Sequence, residues 1–110
     1  MPEPGKPYFV QLSPVFLPVI ENNSVPRQVS VALAVEIADG AQVKRVEERA
    51  PLLRDALLDD LYRYVQQRGG IGSPEAETAL RSILQGTAQR VLRPVAVKGV
   101  EIEEFFQQRR

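Results

Sequence analysis

Hydrophobic residues recur from Val43 to Arg68 at the spacing of one helical face, at Val43, Val46, Ala50, Leu53, Leu57, Leu61 and then Tyr64 or Val65. At 1.5 Å of rise per residue this helix is roughly 39 Å long, so every other element must pack under it or close its ends. It is expected to begin near Ala41. Pro51 falls inside the pattern, where it removes a backbone hydrogen bond and crowds the carbonyl four residues back; a kink or a restart near Arg49–Ala50 is predicted.

The stripe needs a sheet to lie on. From Gln28 to Ala38 the bulky residues Val29, Val31, Leu33, Val35 and Ile37 alternate with small or polar ones, which predicts a strand with its branched face in the core. Burying that face contributes on the order of 10 kcal/mol before entropy is subtracted. Ala32 and Ala34 on the reverse face mean that it is either solvated or closely covered. Upstream, Tyr8 to Leu12 is strand-like, but Pro14 and Pro18 interrupt the continuation from Val15 to Ile20, so an edge strand or two short strands with a bend are expected. Glu21 to Ser24 reads as the turn. Its Asn22-Asn23-Ser24 formally matches a glycosylation acceptor and is read as a polar hairpin loop.

Gly69-Gly70-Ile71-Gly72 ends the long helix, and Ser73-Pro74-Glu75 opens a second with an N-cap, a proline at the first position and an acid in the first turn. Ala76, Leu80, Ile83, Leu84, Thr87, Val91 and Leu92 share one face of that helix, and Pro94 stops it. In the last strand, Val95 to Phe106, the apolar phase is odd at Val95 and Val97 but even at Val100, Ile102 and Phe106. One inserted residue, a bulge at Lys98–Gly99, would return both halves to the core face. The fold class is α+β: a small antiparallel or mixed sheet of three to four strands with two helices packed on one face, in the order β-β-α-α-β.

A chain of 110 residues holds one core. Its 14 basic and 14 acidic residues are interleaved, which disfavours nucleic acid as a partner, because backbone binding draws on clustered Lys and Arg. The chain has neither cysteine nor histidine, so disulfides, thiol nucleophiles, the usual zinc sites and the commonest neutral-pH acid/base group are all excluded.

The remaining chemistry reads as surface. The Gly-rich segment before Pro74 lacks the Gly-Lys-Ser/Thr ending of a phosphate loop, and Glu75 and Glu77 already occupy the positive end of the second helix. Asp55, Asp59 and Asp60, and likewise Glu101, Glu103 and Glu104, do not have the convergent form of a calcium or magnesium site; Arg54 and Arg63 stand close enough to neutralise the first group. No catalytic, metal or cofactor residue is assigned. Adjacent strand residues face opposite ways, so Phe105 and Phe106 cannot both enter one core. With aromatics and Arg enriched at interfaces, Tyr62, Arg63 and Phe105 are the candidate partner-binding residues.

The segment Ala50-Pro51-Leu52-Leu53-Arg54-Asp55-Ala56-Leu57-Leu58 resembles the M-P-x-L-R-D-A-I-L run of the FliL family of flagellar basal-body proteins. Ser73-Pro74-Glu75 is similar to that family's start of the next helix, Val97 to Phe105 to its closing strand, and QVSVALAVEIAD to its second strand. The resemblance covers roughly Tyr8 to Gln108. Ala76-Glu77 stands where the family has Gly-Lys, and Ile102 where an aromatic is usual.

This resemblance implies a stomatin-like (SPFH) fold at 8–110 and, at 1–7, a linker following an inner-membrane helix that is absent from this chain. It further implies a periplasmic location, no enzymatic activity, no cofactor, and a homo-oligomeric ring around the flagellar stator proteins MotA and MotB that supports torque and motility. The alternative is a stomatin-like scaffold that clusters a different inner-membrane protein.

Overall fold

The computed structural model describes residues 2–19, 27–68 and 74–108. In chain order the elements are β1 (Tyr8–Gln11), β2 (Val15–Val19), β3 (Arg27–Ile37), a single 3-10 turn (Gly40–Gln42), α1 (Val43–Arg68), α2 (Pro74–Leu92) and β4 (Val97–Gln108). The sheet has four strands, all pairings antiparallel, in the sequence order β-β-β-α-α-β.

The alternating strand β3 is the centre of the sheet. Along one edge it pairs with β4; along the other it pairs with β1 over its second half (Tyr8↔Ile37) and with β2 over its first (Val15↔Val31). The proline-interrupted stretch is therefore two collinear edge strands, one more element than a single strand would give. Leu12 continues the ladder through the joint, its N–H donating to the Leu33 carbonyl at 2.9 Å. Pro18 sits within β2 opposite Gln28, a position open to proline because β2 is an edge strand.

One hydrophobic cluster holds everything together. Val31, Leu33, Val35 and Ile37 of β3 lie fully buried under Val46, Leu53, Leu57, Leu61 and Tyr64 of α1 and Leu80, Leu84, Ala88 and Leu92 of α2. Because one column of β3 meets both helices, the helices lie on the same face of the sheet. α1 packs over β1 and β2, and α2 over β4. Tyr64 closes the α1 stripe.

Two details of the helices differ from the pattern. α1 is one continuous helix from Val43 to Arg68 with Pro51 inside it, so there is no restart, and its start is two residues later than Ala41 because the 3-10 turn precedes it. The proline falls on the exposed side of the first half of the helix. In α2, Ile83 is 45% exposed while Ala88 takes a buried place beside Leu84; Ile83 lies at the margin of the stripe, beyond the reach of the sheet.

β4 shifts register twice against β3. The first shift, between Glu36 and Ile37, leaves Lys98 as the extra residue, the bulge that the change of apolar phase predicts, and Val97, Val100 and Ile102 are all buried. The second shift, between Ala32 and Leu33, leaves Glu103 as the extra residue. Beyond it Phe105 stands opposite Val31 and Phe106 opposite Ser30, the reverse of the even-numbered phase expected for Phe106.

Candidate functional site

The three partner-binding candidates stand on two separate elements. Tyr62 and Arg63 lie on α1, which packs on α2, β2 and β1, whereas Phe105 lies on β4, which packs on β3 and α2. Tyr62 is 41% exposed. Arg63 is exposed and held at 2.8 Å by Asp59, the i,i+4 pair that the helix spacing allows, worth a few tenths of a kcal/mol. The side chain of Phe105 lies outside the described residues, as do the turn at Glu21–Ser24 and the Gly-rich segment from Gly69 to Ser73.

Three of the acidic residues, Asp59, Asp60 and Glu101, enter structural contacts. Asp59 pairs with Arg63, and Asp60 accepts a hydrogen bond from the hydroxyl of Thr87, a buried polar side chain of α2. Glu101 lies 3.5 Å from Arg81, which also pairs with Glu77 at 3.0 Å, so the carboxylates of α2 and β4 are joined through one guanidinium. Among the described residues no group of three acidic side chains is placed to hold a metal ion. Arg54 does not neutralise Asp55. Its Nε donates to the Ser13 carbonyl at 3.1 Å and its Nη2 to the Pro14 carbonyl at 2.8 Å, clasping the joint between β1 and β2.

The sheet face turned away from the helices carries two large exposed aromatics. Phe9 (48% exposed) is opposite Glu36, and Phe16 (55% exposed) is opposite Ser30, both beside the even-numbered column of β3. Ala34, in the same column between Gln11 and Glu101, is fully buried by its neighbours. The sequence held a signal for these aromatics, since Val10 and Val15 are core residues and Phe9 and Phe16 are their direct neighbours. Reading it needed the register on both sides of the Leu12–Pro14 joint.

At the opposite end of the helices, the start of α1 and the end of α2 enclose an open cleft of about 240 Å³. It is lined by Arg45, Glu48 and Arg49 of α1 and by Leu92, Arg93, Pro94 and Val95 at and beyond the end of α2. Arg49 donates to the Val91 carbonyl at 3.1 Å, satisfying one of the free carbonyls at the end of α2. Sequence reading missed this cluster because Arg93 is remote from Arg45 until the helices dock.

Models of known protein families and curated proteins yield no match to the chain.

The N-terminal segment docks beside the same end of α1. The Asp39 carboxylate accepts from the Ala41 N–H at 2.9 Å, capping the 3-10 turn, and from the Gly5 N–H at 2.8 Å. Both amides favour the charged carboxylate, Gly5 more than Ala41, and hold its pKa below the ordinary value. Gly40 donates to the Lys6 carbonyl at 2.8 Å and lies so close to Glu3 that a Cβ there would meet the Glu3 carbonyl oxygen at 2.8 Å. Gly5 turns the segment with φ +74, a conformation that glycine adopts without strain. No helix among the described residues is long and apolar enough to cross a membrane.

Proposed function

We propose that the chain is a non-enzymatic scaffold domain of the flagellar basal body. Anchored at the inner membrane with this domain in the periplasm, it self-associates and supports the MotA and MotB stator units in torque generation. The observation that carries the reading is the position of the resembling segments. Leu53 and Leu57 of the Ala50–Leu58 run are fully buried in the roof over the sheet, while Arg54 of the same run clasps the β1–β2 joint. Val97, Val100 and Ile102 of the closing segment fill the other side of that core.

The open face of the sheet supports the same reading. A protein that acts by presenting surfaces needs apolar area outside its own core, and Phe9 and Phe16 supply it on a face that neither helix covers. A ring member cut from its anchor loses the effective concentration that weak interfaces depend on, so the isolated domain is expected to sediment as a monomer.

The test is deletion of the gene in its native cell. Assembled filaments with swimming or swarming impaired at high load are expected, restored by the full-length protein. Unchanged motility under high load would sink the reading; the same result with dispersal of some other inner-membrane protein would favour a stomatin-like scaffold of different clientele.

A further inference from the structure

The cleft between the start of α1 and the end of α2 gathers more positive charge than the fold uses. Three arginines, Arg45, Arg49 and Arg93, and one acid, Glu48, line it. Arg49 has a structural task, its bond to the Val91 carbonyl. Arg45, Glu48 and Arg93 have no hydrogen-bond or ion-pair partner among the described residues. Arg45 and Arg49 are like charges at i,i+4 on one helix, an arrangement that weakens a helix unless something neutralises it. Docking of α2 then brings Arg93 alongside as a third positive charge; the C-terminus of α2 favours a cation, and Arg49 already fills that role at the Val91 carbonyl.

We propose that this cleft is an anion site for a phosphate group, either free as a soluble phosphomonoester or carried by a lipid headgroup. Guanidinium forks match phosphate oxygens in pairs, and several converging arginines suit a group with three or four oxygens better than a carboxylate with two. The exposed lining is mostly polar, with Leu92 and Val95 buried beneath it, so recognition rests on the charged oxygens of the ligand and not on its organic part. Glu48 opposes binding and sets its strength. The site stands apart from the scaffold reading, since neither Phe9 nor Phe16 contributes to it.

The 110-residue chain, labelled with 15N, is titrated at constant ionic strength with inorganic phosphate, then with phosphatidylcholine vesicles containing either phosphatidic acid, a phosphomonoester, or phosphatidylglycerol, a diester, at matched surface charge. Amide shifts confined to residues 45–49 and 91–95 are expected. The exposed pair R45A/R93A should weaken binding roughly tenfold, and E48Q should tighten it roughly two- to fivefold, a gain that misfolding cannot imitate. A response to inorganic phosphate supports the site with a soluble ligand. A response restricted to phosphatidic acid vesicles and lost in R45A/R93A supports it with a lipid ligand, whereas an equal response to both anionic lipids is surface-charge attraction and counts against it. Binding that ignores both variants, or no response to either probe, overturns the proposal.

Discussion

Arg54 reaches across from α1 to donate to the Pro14 carbonyl at 2.8 Å, with a second bond to Ser13 at 3.1 Å. Pro14 has no N–H to offer a ladder, and the break it makes between β1 and β2 leaves carbonyls without strand partners. A planar fork with several fixed donors satisfies two of them at once. R54A should therefore cost about 0.5–1.5 kcal/mol, since water can replace the guanidinium at these exposed carbonyls, seen as a lower urea midpoint at unchanged m-value. R54K, with a charge but no fork, should recover part of the loss.

The helix that carries Arg54 separates core from surface within a few residues. Leu57 is fully buried against the β3 column, whereas Leu52 is 60% exposed. L57A is expected to cost about 2–5 kcal/mol, the transfer term plus the cavity left behind. L52A should stay within about 0.5 kcal/mol. Equal losses in thermal unfolding would mean that α1 is rotated on the sheet.

What could be read in advance followed from periodicity. The period-2 run of β3, the helical stripe of α1 and the odd-to-even change at Lys98 each involve several residues whose pattern changes if one element slips, and each is found where the pattern places it. The features out of reach were those set by a single residue in tertiary context. The Glu103 bulge has no apolar phase change before it, since Val100 and Ile102 already agree, and only pairing with β3 exposes it. Arg54 looked like a partner for Asp55 because the carbonyls it binds come from 41 and 40 residues away. The arginine cleft and the docking of residues 3–6 on Asp39 likewise depend on parts of the chain that meet after folding.

The exposed pair on the sheet gives a separable test of surface and stability. Phe9 and Phe16 do not belong to the hydrophobic cluster, so F9S/F16S should lower stability by no more than about 1 kcal/mol, a loss of strand propensity on an edge. Under the scaffold function proposed above, the same pair should also reduce self-association, measured by cross-linking in the native cell. Retained association with both aromatics removed would move the contact surface off this face.

The N-terminal segment is fastened by a charge, and its attachment should follow the protonation of that charge. Gly5, foremost, and then Ala41 donate to the Asp39 carboxylate and hold its pKa below the ordinary value in the folded chain. A depressed folded-state pKa means that the contribution is present above the ordinary carboxylate value and is lost as the pH falls through the folded one. Acid should thus release residues 3–6 before the core unfolds, visible as lost protection of the Gly5 amide relative to its intrinsic exchange rate at each pH, while the β3 amides remain protected. D39N should abolish that acid dependence. G40A should release the segment at neutral pH, because its Cβ would lie 2.8 Å from the Glu3 carbonyl oxygen, a backbone atom that a side-chain rotation cannot move aside. A Gly5 protection factor that stays high in G40A, or that acid does not lower in the parent chain, would show that Asp39 is a helix cap alone and that the segment is held by other contacts.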